Sequence, residues 1–137
     1  AGLILTDQFP RNMFRDDARS FATDALAVRL AKAALEAEHD LATAGPARQF
    51  FYLPFMHAED AALQERCVAL FAERMPGDNL RHARAHAAVI ARFGRFPWRN
   101  VVLGRGNDAA ETVFLAKGGY GAALREIPAI EPQNNIV

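Results

Sequence analysis

From Asp17 to Glu38 the chain runs for 22 residues without a glycine or proline and is dense in alanine and leucine. Both are strong helix formers, so the stretch predicts one long helix. On a helical wheel Arg29, Lys32 and Glu36 share a narrow charged sector. Phe21, Val28 and Leu35 lie to one side of it, while Leu26, Leu30 and a wall of alanines cover the other. A helix with so little polar surface is expected to be covered on more than one face, as an inner member of a bundle or array.

Glycine and proline divide the rest. Gln8-Phe9-Pro10-Arg11-Asn12 is expected as a turn before the long helix, and Gly45-Pro46 opens the next unit. The apolar run Phe50 to Met56 has Pro54 in its middle, which lacks a ladder donor, so it predicts a short kinked helix running into His57 rather than a strand. Further helices are expected at about 59–75, stopped by Pro76-Gly77, and at about 79–93, closed by Gly94 as a left-handed cap. Asp108 is expected to cap a short helix reaching about Lys117. No period of two recurs, so the fold class is all-α, with residues 1–117 as one domain. The segment 118–137 holds three glycines and two prolines and is expected to be extended or loosely held.

A chain of 137 residues is long enough to bury one real core without staples. Its lone cysteine, Cys67, excludes an internal disulfide scaffold and makes a reducing cytoplasm the expected compartment. Sixteen basic and sixteen acidic side chains cancel, which argues against a general attraction to nucleic acid or to a membrane surface. No apolar stretch approaches the roughly 18 residues of a spanning helix. The opening Ala1-Gly2-Leu3-Ile4-Leu5 reads like the interior of an apolar helix, as expected of a truncated or processed start.

Chemistry is sought where polar residues sit on apolar helix faces. His82 and His86 fall among Val89, Ile90 and Phe93, so both imidazoles are expected to point inward. If the helix near residue 59 starts early enough, Asp60 lies between Cys67 and Phe71 on its buried stripe, Gln64 lies between Phe71 and Met75, and His57 extends the line one turn back. Buried groups of these types need partners or cost several kcal/mol. They either fix the register of packed helices or line a functional pocket. His-x-x-x-His on one helix also suits a metal, but the metalloprotease His-Glu-x-x-His is missing, and no metal or cofactor is expected.

A charge asymmetry is the second signal. Fourteen of the sixteen cations are arginine, and between Asp78 and Asp108 six of them (Arg81, Arg84, Arg92, Arg95, Arg99 and Arg105) occur without an acid. Arg95 and Arg99 sit in the turn Phe93-Gly94-Arg95-Phe96-Pro97-Trp98-Arg99-Asn100, suited to hold a carboxylate or phosphate. The plainer alternative is that these arginines pair with acids elsewhere, including Asp7, Glu59 and Asp60. Serine catalysis is excluded in practice, because Ser20 is the only serine and no nucleophile motif surrounds it. Cys67 is expected to be buried and inert.

Three long motifs carry a resemblance. Asp7-Gln8-Phe9-Pro10-Arg11-Asn12; Tyr52-Leu53-Pro54-Phe55-Met56-His57-Ala58-Glu59-Asp60 with Gln64; and His86 followed by Ile90 to Asn100 together resemble the bacterial family called domain of unknown function 924, over about Leu3 to Leu115. The resemblance implies a tetratricopeptide-like array of antiparallel helix pairs, although no repeat of about 34 residues is visible. It also implies site positions at Asp7, Gln8, Arg11, His57, Glu59, Asp60, Gln64, His86, Arg95, Arg99 and Asn100. The chain departs from the family's usual form in lacking a preceding Trp-Phe segment, in having Ala58 for serine, and in having Trp98 for histidine.

The echo between Phe9-Pro10-Arg11-Asn12 and Phe96-Pro97-Trp98-Arg99-Asn100 suggests two similar helix ends at one pocket. The expected function is a binding module whose His/Asp/Gln cluster and arginine-rich loops hold a small anionic ligand or an acidic peptide end. The alternative is a hydrolase-like enzyme using His57 or His86 with Asp60 as acid and base, with or without a metal.

Overall fold

The computed structural model describes residues 1–130, and these are all-helical, without a strand. A helical start leads through one widened turn, Ile4–Gln8, straight into α1, Phe9–Met13. The expected turn at Gln8–Asn12 is therefore helical. Pro10 explains the widening: it has no N–H to give one turn back and its ring crowds the carbonyl there. The chain responds with a bond one residue longer, from Phe9 N–H to Ile4 O.

A short tight turn, Ala18–Phe21, precedes α2, Asp24–Glu36, so the long Gly/Pro-free run yields a shorter helix than its composition allows. Asp17 ends the run early by accepting the backbone N–H of Arg19, an alternative to helix that aspartate offers readily. Only one face of α2 is closed: Ala27, Ala31 and Leu35 are buried, whereas Leu26 and Leu30 are 39% and 37% exposed. Cover on that side is only partial: the N-terminal segment reaches Leu30 at Gly2, while Leu26 stays exposed.

The segment Gly45–Phe51 and α3, Leu53–Met56, make the kinked unit ahead of His57. Helices α4, Ala61–Arg74, and α5, Asp78–Phe93, form the most extensive helix pair, and their three-residue link turns the second back along the first. Gly94 closes α5 with φ 72°, a conformation that costs other residues about 1 kcal/mol or more. After the turn Pro97–Arg99 comes α6, Ala109–Ala116, which starts in a reciprocal cap between Asp108 and Glu111.

Residues 118 and 119 are glycines with φ of 117° and 57°, and they turn the chain into a further helix, α7, Tyr120–Glu126, packed on α5. The expected extended segment is thus helical over 120–126, while 131–137 lie outside the described residues. The glycines mark a sharp corner between helices rather than a loose tail.

Two apolar clusters result. Tyr52, Phe55, Met56, Cys67, Leu70 and Phe71 centre the first, and Val89, Ile90, Phe96 and Phe114 the second. Burying each large side chain contributes roughly 1.5–3 kcal/mol. Helix α5 serves both, with Leu80 and Ala83 in one and Val89 and Ile90 in the other, so His82 and His86 lie at the junction. No described helix is long and apolar enough to cross a membrane.

Candidate functional site

Asp7 lies in the widened N-terminal turn and is 2% exposed. Its carboxylate accepts from Gln8 Nε2 at 2.7 Å and from Arg11 Nη1 at 2.9 Å, and His57 Nδ1 lies 2.9 Å from Oδ1. Burial pushes this carboxyl up, but the hydrogen bonds of His57 and Gln8 and the charge of Arg11 outweigh it, leaving the group below its ordinary range. Beside an ionised acceptor, the bonded imidazole nitrogen is the one that carries the proton. His57 Nε2 is then the unprotonated nitrogen, and among the described residues it has no hydrogen-bond partner, while the side chain keeps 17% of its surface exposed. Burial lowers the pKa of His57, with Arg11 and Arg99 adding to the effect and Asp7 opposing it, so the ring is neutral near pH 7.

The backbone of His57 is fixed just as firmly. Gln64, 1% exposed, donates from Nε2 to Met56 O and Ala58 O, each at 2.7 Å, which satisfies orphan carbonyls at the end of α3. Arg99 Nη2 donates to His57 O at 2.8 Å. The inward placement expected of Gln64 and His57 matches their positions.

His86 approaches from α5. Its Nδ1 gives a hydrogen bond to His82 O at 2.8 Å, so its Nε2 is also unprotonated. The ring sits among Phe96, Trp98 and Tyr120 and lies 6.3 Å from the ring of His57. Burial presses its pKa down to about 4, with the charge of Arg99 contributing. It is neutral at any ordinary pH.

Arg99 is the cation of this region. It is 7% exposed, and its guanidinium lies over the rings of Phe21 and Phe96 at 4.3 and 4.7 Å from their centroids. Its nearest carboxylate oxygen, on Asp24, is 3.6 Å away, beyond hydrogen-bond distance, and Asp24 is held bidentately by Arg11 at 3.0 Å. Burial therefore wins, and the Arg99 pKa falls to about 10. The charge remains at pH 7, with donors to spare.

These groups share an open cleft of about 450 Å³, whose lining includes three arginines (Arg11, Arg15 and Arg99) against one acid (Asp16), both imidazoles, and the rings of Trp98 and Phe21. A second hollow of about 410 Å³ reaches the same His57, Arg99 and Phe21 from the α2 side. Ser20 also lines the first cleft, but its hydroxyl donates to Asp17 O at 2.7 Å.

Of the remaining expected residues, Glu59 lines the second hollow and the others lie outside both. Glu59 accepts from Arg105 twice, at 2.8 and 2.9 Å, and from the Phe96 backbone N–H at 3.0 Å. Arg95 makes a bidentate pair with Glu111 at 2.8 and 2.9 Å, and Asn100 donates to Glu111 and Asn107 while accepting from Arg105. The hydrogen bond from Arg95 holds the Glu111 carboxyl down at about 2. This network clamps the 94–108 turn and employs Arg95, Asn100 and Glu59 internally.

Asp60 is not on a buried stripe. It is exposed and stands just before the first turn of α4, where its Oδ1 accepts the Leu63 backbone N–H at 2.9 Å. The helix starts one residue too late for the wheel to apply. Asp24, Glu111 and Tyr120 escaped sequence reasoning. The Asp-x-x-Glu spacing of Asp108 and Glu111 is the signal that would have found the second, whereas Asp24 and Tyr120 join the site only through long-range packing. Cys67 is buried as expected, and burial raises its pKa to about 12. Among the described residues no group of three or more His, Cys, Asp or Glu side chains is placed to hold a metal ion.

A family model described as a bacterial protein of unknown function, DUF924, matches residues 1–119. A solved structure from Agrobacterium tumefaciens, also described as a protein of unknown function, is similar with TM-score 0.82 and 46% sequence identity. The match covers 85% of this chain and 65% of that one, so the chain spans just under two thirds of that protein's length. Among proteins with curated descriptions, none matches. The three motifs that meet around His57, His86 and the 94–108 turn are therefore read within a shared fold: the chain belongs to the bacterial DUF924 family.

Proposed function

We propose that the chain binds a small carboxylate- or phosphate-bearing molecule in the cleft at Arg99. The supporting observation is the state of that guanidinium. It is almost wholly buried and among the described residues has one close hydrogen bond, to His57 O, while the nearest carboxylate is already held by Arg11. A buried cation short of partners gains most from a ligand that supplies them. The cleft volume of about 450 Å³ suits a small molecule, with Arg15 at its exposed side and Trp98 and Phe21 available for an apolar portion.

The test is a thermal-shift and calorimetric titration with inorganic phosphate, phenylacetate and citrate. At a hundredfold excess over Kd, binding to the folded state adds about 2.7 kcal/mol and raises the melting temperature by several degrees. Arg99→Met should abolish that rise without unfolding the protein. No response to any of the three anions, or an undiminished response in the variant, overturns the reading.

A further inference from the structure

Three regions use polar groups in ways the anion site leaves unexplained. In the Asp40, Tyr52 and Arg74 cluster the carboxylate is fully buried and held by the Tyr52 hydroxyl and the Arg74 guanidinium, so it reads as a structural knot. The latch of Tyr120 on His82 and the bonds from Arg81 to Leu124 O and Ile127 O fasten α7 to α5. The Asp7–His57 pair is different, because it uses a buried carboxylate to orient a ring that lines a cleft.

Holding a helix end in place does not require that arrangement. Gln64 and Arg99 already fix the His57 backbone. What Asp7 adds is a defined tautomer, with the proton on Nδ1 and the lone pair on Nε2. A neutral imidazole so oriented is a general base, and the carboxylate behind it stabilises the imidazolium formed on proton uptake.

The available nucleophiles narrow the chemistry. Ser20 gives its proton to a backbone carbonyl rather than to an imidazole, and Cys67 lies in the core beside Tyr52. Water is left as the group that His57 can activate. The cation beside it, Arg99, suits an oxygen that gains a single negative charge.

Resting on the anion site proposed above, we infer that the Asp7–His57 pair activates water against a carboxylic ester, and that the anion Arg99 holds is the carboxylate which hydrolysis releases. His57 Nε2 takes one proton from water as the water oxygen bonds to the ester carbonyl carbon. The carbonyl π pair moves onto its oxygen, beside Arg99. That pair then returns, the bond to the alcohol oxygen breaks, and the leaving alcohol takes the proton back from Nε2. Water and ester become acid and alcohol, with the imidazole restored. His57 is the catalytic residue and Asp7 a positioning residue. Trp98 and Phe21 favour an aromatic or bulky apolar acyl group.

The probe is 4-nitrophenyl phenylacetate, with 4-nitrophenyl phosphate as the competing class. Turnover of the ester should exceed that by free imidazole at equal concentration by about 100-fold or more. The wild-type rate should rise with pH through a pKa below the ordinary 6.5 of histidine. His57→Gln should lose about 100-fold in kcat while calorimetry shows phenylacetate binding unchanged. Asp7→Asn should lower kcat with little change in KM and move the rising limb of the pH profile to lower pH, a displacement that mere loosening of the fold would not produce.

Ester turnover no faster than free imidazole, a flat pH profile, or full activity in His57→Gln overturns the inference, as does preferential turnover of the phosphate ester. Phenylacetate binding without turnover leaves the anion site standing and removes only the hydrolysis. Should His57→Gln fail to fold, the wild-type pH profile and Asp7→Asn decide the matter. Absence of phenylacetate binding alone overturns this inference, and absence of binding by phosphate, phenylacetate and citrate alike overturns the anion site itself.

Discussion

Two arginines four residues apart, Arg95 and Arg99, have opposite fates. Arg95 meets a dedicated carboxylate, Glu111, in a bidentate pair, inside a network where Glu59 does the same for Arg105. Arg99 is buried more deeply, yet it shares Asp24 at a distance with Arg11, which holds that carboxylate closely. The first arrangement saturates its charges and fixes a turn. The second leaves a cation and two imidazole rings lining a cleft. Arginine content by itself therefore says little about binding; what matters is whether each guanidinium has its own acid.

The sharpest break of this contrast compares Glu59→Ala with Arg99→Met. Removing Glu59 strips Arg105 of its carboxylate and the Phe96 N–H of its acceptor, and should cost about 3 kcal/mol in urea unfolding. Replacing Arg99 by an apolar group of similar length relieves a poorly paired buried charge and should leave stability within about 1 kcal/mol of wild type. Equal losses would show that the cleft is as saturated as the clamp.

Acid separates the regions next. The folded pKa of His57 lies below the ordinary 6.5 and that of His86 near 4, so as pH falls below 6.5 the unfolded chain takes up protons that the folded chain refuses. Stability is fully present above 6.5 and declines toward 4, by on the order of 2 kcal/mol at pH 5 for His86. Glu59 and Glu111 are depressed carboxyls, so their contribution persists until pH falls below about 4.5 and only then is lost. Unfolding midpoints at pH 7, 5 and 3 check this order, and His86→Leu should flatten the upper step while leaving the lower one.

Asp60→Ala gives the smallest effect. It should cost about 1 kcal/mol through the lost cap of α4 and leave anion binding unaltered, since its side chain turns to the helix end. A loss of phenylacetate affinity in that variant would place Asp60 in the cleft after all.

Helix identity was legible wherever a run was long and apolar on one face: the stretches at 59–75 and 79–93 match α4 and α5 closely. Periodicity worked inside those helices, as Gln64 shows, and failed at their ends, as Asp60 shows. Asp7 and His57 are 50 residues apart, and nothing in a local pattern links them. Composition misled at 118–126, where glycines that set a corner read as a loose tail. The pairing of the arginines with distant acids was one of the two readings open at the start, and it holds for Arg95 and Arg105 but only weakly for Arg99.

The acid-free stretch between Asp78 and Asp108 carries a kinetic consequence. Its arginines cannot be neutralised by near neighbours: Arg105 waits for Glu59 across 46 residues, and Arg99 reaches the His57 carbonyl across 42. Closing loops of that length is entropically unfavourable until the intervening α4–α5 hairpin shortens them. The hairpin is therefore expected to form before the cleft closes on its long-range contacts.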